Sequence, residues 1–323
     1  MLASQRSLAE VQLNRNTVAE VAESRTPLRE AALESFRRRN AVLDAMFYDV
    51  GTVTAGEAQD ISPWLAREGS LLIVPPTGQG PLCRCGTIDA FAGHGGTDIR
   101  ILTVAGVGSS ALGSAAFARN VADAFGQPVA AVVSGYGLAD LLTEAAGGWF
   151  FFGTLNRVRH QFEELDRLSR TLNAPEAAAA AEAAASEAGI SLVRTSLDTA
   201  TVISLLADPR FKFSLLTGHS KGNLVISEAL YELNNQAETG GAQPAEETWI
   251  VTVSAAVAMP PRYRHIVDVM GTIDWFGRIN STPGIEVDKL WPLSWHHTNT
   301  ELSFHLPVAT MFRELIADRG IVV

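Results

Sequence analysis

Cysteine is nearly missing from this chain: among 323 residues only Cys83 and Cys85 occur, in "PLCRCG". Two thiols separated by Arg84 make no disulfide framework and are too few to hold a structural zinc, so ordinary reduced thiols and no metal site are expected. Basic residues are also short. Lys and Arg number 25 against 35 Asp and Glu, giving a net charge of -10, which opposes attraction to phosphate backbones and excludes nucleic acid as an expected partner. No apolar run approaches the roughly 18 residues that a membrane span needs. The start, "MLASQRSLAEVQLNRNTVAEV", has charges every few positions in place of an apolar signal core, so a cytoplasmic location without a transmembrane segment is expected.

What is present is apolar and alanine-rich: hydrophobic residues make up 47% of the chain and mean hydropathy is +0.12, enough for a large folded core. Residues 1 to about 50 carry a helical apolar spacing through Leu33, Phe36, Val42, Leu43, Met46 and Phe47, with Pro27 suited to a helix start. Short β-rich runs stopped by Gly or Pro follow in "GSLLIVPPTGQG" and "DIRILTVAGVGSS", with Gly-rich turn material over 78–97 between them. The segment "SSALGSAAFARNVADAF" reads as a helix and "PVAAVVSGYG" as the next strand, a β-α-β unit that implies parallel pairing. Residues 138–207 read as a mostly helical insertion containing "EAAAAAEAAASEAG". Strands at Phe211–Leu216, "TWIVTVSAAV" and "RHIVDVMG" and a last helix from near Pro307 complete the pattern. The expectation is an α/β fold with a mostly parallel, doubly wound sheet over residues 70–323, behind a helical extension over residues 1–69.

The stretch "SLLTGHSKGNLVISEAL" places Ser220 in G-x-S-x-G between a strand and a helix, the setting of a nucleophile elbow. Gly218 and Gly222 would remove collisions two residues on either side of a strained serine, and the helix start would supply backbone donors. A plain helix cap needs no such pair of glycines. A serine nucleophile requires a base, and the base an orienting acid, in chain order serine, acid, histidine. Asp274 ends the apolar run "RHIVDVMGTI" and is the preferred acid, with Asp288 next; Asp268 lies inside the run. The base is sought among His297, which is preferred, His305 and His296. His219 is expected to pack under the elbow, and His94 to be a loop residue. Oxyanion donors are expected from the Lys221 amide and from Val107 or Gly108, with the Lys221 side chain in solvent.

On "LLTGHSKGNLVISEAL", "AGVGSS", "MGTIDWFGRINS" and "WHHTN", the chain resembles the α/β-hydrolase superfamily, and within it the lipase class 3 type, over about residues 70–320. The resemblance implies hydrolysis of carboxylic esters, acylglycerols or phospholipids among them, through an acyl-enzyme and without a cofactor, with peripheral lipid contact. Lys221 and Asn223 depart from the apolar residues usual in such an elbow, and "VAGVG" replaces the usual oxyanion strand. "GGWFFFGTLNRV", 147–158, is either a lid or core. Two other readings stand beside this one. A non-catalytic binding protein of the same fold is the first. A nucleotide-binding oxidoreductase is the second, because Gly106–Ala111 matches G-x-G-x-x-A, although no acidic residue ends the next strand to hold a ribose.

Overall fold

The computed structural model describes residues 43–61, 68–106, 109–134, 197–236 and 245–323. Residues 43–47 are helical, and a 3-10 turn, Val50–Thr52, leads to α1, Ala55–Asp60. Thr54 starts α1 with a capping box, its side chain accepting from the Glu57 amide while the Glu57 carboxylate accepts from the Thr54 amide. There follow β1 Leu71–Val74, β2 Cys83–Cys85, α2 Ile88–Gly93, β3 Ile101–Val104, α3 Ala111–Phe125 and β4 Val129–Val132. The second half comprises α4 Leu197–Ala207, β5 Leu215–His219, α5 Lys221–Gln236, β6 Trp249–Val253, β7 His265–Gly271, α6 Trp275–Ile279, β8 Lys289–Trp291 and α7 Val308–Arg319.

The strands form one eight-stranded sheet in the order β2-β1-β4-β3-β5-β6-β7-β8. From β4 to β8 every pairing is parallel, whereas β1 runs antiparallel to both β2 and β4. The fold is therefore α/β with a mostly parallel mixed sheet. Side-chain alternation divides the inner strands between two cores. Leu72, Val74, Ile101, Leu215, Val251 and Val269 join α3 and α7 on one face. Leu71, Ile73, Leu102, Val104, Leu216 and Ile250 join α4 and α5 on the other. Burial on both faces is why the strands read as continuous apolar runs.

Three expectations are amended. The strand expected at Phe211–Leu216 starts later, at Leu215, and runs into His219, directly before Ser220. Phe211 and Phe213 are buried ahead of it, with Phe211 packed on Phe91 at 5.3 Å between ring centres, so their hydrophobicity serves the layer beside the sheet. The turn material of 78–97 contains β2 and α2. The boundary at residue 69 does not mark a break in packing, because Ala45, Tyr48, Val50, Val53, Ala58 and Ile61 belong to the same core as α3 and α7. Residues 1–42, most of the insertion at 138–207, the aromatic segment 147–158, and Val107 and Gly108 lie outside the described residues. Among the described residues no helix is long and apolar enough to cross a membrane.

Candidate functional site

The C-terminal ends of parallel strands gather the polar residues of the site, as is general for open α/β sheets. β5 ends at His219, and the chain turns at once into α5 through Ser220, whose φ of 53° lies in the left-handed region. Such a backbone costs a non-glycine residue of order 1 to 3 kcal/mol and persists only where its surroundings enforce it. Here the Ser220 amide donates to the Val253 carbonyl at 2.8 Å and the Asn223 amide to the Ser220 carbonyl at 3.1 Å. A Cβ at Gly218 would lie 2.5 Å from the Asn223 amide nitrogen, and one at Gly222 would land on the Val104 carbonyl oxygen. Both glycines are thus required by the close approach of β3, β5 and α5. Asn223 is buried, and its Nδ2 donates to the Val253 and Ala255 carbonyls at 3.0 and 2.8 Å. That polar residue clamps the elbow helix to the end of β6.

Ser220, His296 and Asp274 form a continuous hydrogen-bonded chain. His296 Nε2 is 3.0 Å from Ser220 Oγ, and His296 Nδ1 is 3.0 Å from each carboxylate oxygen of Asp274. A carboxylate accepts, so Nδ1 carries the hydrogen and Nε2 of the neutral ring accepts from the Ser220 hydroxyl. Asp274 is 0% and His296 2% exposed, so both are screened from water and strongly coupled. Asp274 caps α6 as well, Oδ1 accepting from the Gly277 amide at 2.7 Å, which fixes the carboxylate. Phe276 meets the His296 ring edge-on at 4.7 Å, and Phe47 does so at 6.1 Å.

The structure brings Ser220 and Asp274 together with His296, and not with His297, the preferred histidine. His297 turns away, its Nε2 donating to the Ser303 carbonyl at 3.1 Å, and its backbone carbonyl accepts from the Leu306 amide at 2.8 Å. The segment is irregular, and these contacts leave His296 facing the serine and His297 facing Ser303. His305 bonds the Leu302 carbonyl through Nδ1 at 2.9 Å. Asp288 accepts from the Asp268 amide at 2.8 Å, and Asp268 pairs with Thr252; neither reaches His296. The Lys221 side chain, expected in solvent, is 6% exposed and lines the cleft. Burial pushes its ammonium pKa down to about 8, opposed by Glu68.

Tyr48 and His219 complete the site, and sequence reasoning missed the tyrosine. His219 Nε2 is 2.9 Å from the His296 carbonyl, which only accepts, so Nε2 carries the hydrogen. Burial, reinforced by the neighbouring His296, pushes the His219 pKa down to about 3, keeping the ring neutral near pH 7. Nδ1 then accepts from Tyr48 Oη at 2.9 Å, and Tyr48 Oη accepts from the Gly106 amide at 2.6 Å. This relay ties the loop after β3 to the backbone of His296. Tyr48→Phe removes the hydroxyl and strands a buried donor and a buried acceptor, at about 1 to 3 kcal/mol each. The expected result is a lower urea midpoint for the variant with unchanged far-ultraviolet circular dichroism; an unchanged midpoint would show that the relay carries no stability.

Asp44 sits at the start of α3, where its carboxylate accepts from the amides of Ser110 and Gly113 and from the Ser110 hydroxyl. Burial pushes its pKa up to about 7, although those hydrogen bonds oppose the shift. The cleft over Ser220 encloses about 760 Å³ of space, part of it open solvent. Its walls are mainly apolar, with Leu43, Phe47, Leu224, Val257 and Phe276 around Ser220 and His296. No family model matches the chain, and no curated protein or solved structure matches it either.

Proposed function

We propose that this protein is a serine hydrolase of the α/β-hydrolase type that cleaves carboxylic esters through an acyl-enzyme. The Ser220–His296–Asp274 chain carries this reading. Its order along the sequence, its position at the ends of β5, β7 and β8, and the strained φ of Ser220 are what a nucleophile elbow with its base and acid requires. His296 Nε2 takes the Ser220 proton as Oγ attacks the ester carbonyl, and Asp274 stabilises the imidazolium. The same proton then goes to the departing alcohol, and water repeats the sequence on the acyl-enzyme. The Lys221 amide, at the first position of α5, is one oxyanion donor, a group typically worth about 100- to 1000-fold in rate. The second is assigned by the sequence to Val107 or Gly108.

The apolar cleft favours an acyl chain over a polar substrate. Exposed apolar side chains occur in the two segments that carry Asp274 and His296: Ile273, Trp275 and Ile279 around α6, and Leu293 and Phe304 in the segment of His296. The two segments are tied together by the Leu293 amide donating to Thr272 Oγ1 at 2.9 Å and the Ile273 amide donating to the Ser294 carbonyl at 3.2 Å. Exposed apolar side chains on the segments whose Phe276 and His296 line the cleft suit a lipase or esterase working at a lipid surface. Against a dinucleotide stands Asp44, whose carboxylate already takes the α3 donors that a pyrophosphate needs. β4 is followed by Val133 and Ser134, with no acid for a ribose.

The test is hydrolysis of p-nitrophenyl esters from acetate to palmitate by the native chain and by Ser220→Ala. Activity on the longer chains that falls about 10³-fold or more in the variant is expected. Activity equal in both proteins would overturn the serine mechanism, and no activity on any ester would favour a non-catalytic binding protein.

A further inference from the structure

We propose that Cys83, Cys85 and His94 form a binding site for a single zinc ion, separate from the cleft over Ser220. Residues two apart on a strand project to the same side, and on β2 this brings the two sulfurs to 4.0 Å. Tetrahedral zinc with bonds of about 2.3 Å to sulfur holds two thiolates roughly 3.8 Å apart, so the pair is nearly at its final spacing. The third donor comes from the residue that closes α2. His94 follows Gly93 there, and one ligand atom from each of the three side chains lies within 4.8 Å of the others. The pair alone is too small a set for zinc; the imidazole supplied by the fold makes it three.

The histidine is already prepared for the role. Its Nδ1 is 2.6 Å from the Ala90 carbonyl, which only accepts, so Nδ1 carries the hydrogen and the Nε2 lone pair is left to bind metal. A metal-bound histidine almost always donates its other N–H to such a carbonyl or carboxylate, which fixes the ring and raises its basicity. Two thiolates and an imidazole select zinc over magnesium or calcium, which take oxygen ligands. Both thiols release a proton to solvent on binding, and no electron moves. Three protein ligands leave a fourth position for water or an incoming ligand. A disulfide fits less well, because positions i and i+2 of a strand lie about 6.6 Å apart, at the far end of the range such a bond spans. Zinc would pin the edge strand β2 to the end of α2 and stabilise the native chain by mass action.

Cobalt(II) is the probe, added to the reduced, chelator-treated full chain without oxygen. One equivalent should raise a thiolate-to-cobalt charge-transfer band with the ligand-field bands of a tetrahedral site, and one equivalent of zinc should bleach both. Cys83→Ser and His94→Gln, at positions that are not fully buried, should each weaken cobalt binding by about tenfold or more with unchanged circular dichroism. Zinc should raise the Tm of the native chain and leave that of Cys83→Ser unmoved. Absence of a charge-transfer band overturns the site, as does a band indifferent to both substitutions. A reduced chain that takes up no metal and closes an intramolecular disulfide in air would make the pair a redox couple and overturn it equally.

Discussion

His296→Ala is expected to lower turnover of a p-nitrophenyl ester by about 10⁴- to 10⁶-fold, while His297→Ala stays within about threefold of the native rate. The two residues are neighbours in sequence and both are buried, so burial and local composition cannot separate the variants. What separates them is direction. His296 Nε2 is 3.0 Å from Ser220 Oγ, whereas His297 Nε2 is held by the Ser303 carbonyl. Removing the first leaves Asp274 buried without its partner and Ser220 without a base; removing the second takes away a packing residue beside Trp295. Asp274→Asn should resemble His296→Ala in direction, since an amide that donates to Nδ1 favours the wrong tautomer of the ring. Equal losses from His296→Ala and His297→Ala would mean that both act through stability alone.

Gly222→Ala is expected to destabilise the fold by about 3 kcal/mol or more and to abolish ester hydrolysis, whereas Gly56→Ala is neutral or stabilises by up to about 1 kcal/mol. The added Cβ at Gly222 meets the Val104 carbonyl oxygen and lies 2.7 Å from that of Ala105. Both belong to the backbone at the end of a central strand, paired with β4 and β5, so neither can give way as a flexible side chain would. Relief would require α5 to move off the sheet, taking the Lys221 amide and the Ser220 backbone with it. At Gly56, in α1, nothing lies within 4 Å of an added Cβ, and alanine is the better helix former. Urea unfolding of the two variants beside the native chain measures the contrast. A Gly222→Ala protein of native stability would show that the elbow has room the geometry denies it.

The parts of the site that the sequence makes legible are those whose cause is local. Gly218, Ser220 and Gly222 lie within five residues and carry their own steric reason. Asp274 follows a strand and stands at the sheet end where Ser220 emerges. The choice between His296 and His297 is set by contacts of an irregular segment, among them the Leu306 amide on the His297 carbonyl and the Thr298 amide on the Phe47 carbonyl at 2.7 Å, and no periodicity announces these. Tyr48 is 171 residues from His219 and becomes part of the site only when residues 43–61 fold into the core. Lys221 looks like a surface charge in "GHSKG", and its burial depends on walls supplied by distant segments. β2 and β8, at three residues each, are too short for an alternation pattern to show. Antiparallel β1 has the same apolar run as its parallel neighbours, because burial of both faces does not depend on strand direction.

In the proposed mechanism Ser220 is a nucleophile activated by His296. The direct measurement is intact-mass and peptide mapping after treatment with a fluorophosphonate, which loses fluoride as a P–O bond forms to an activated serine. One adduct per chain is expected, on Ser220, absent in Ser220→Ala, formed about 10³-fold or more slowly in His296→Ala and at the native rate in His297→Ala. A folded native chain that forms no adduct, or one whose adduct maps to another residue, would contradict that mechanism.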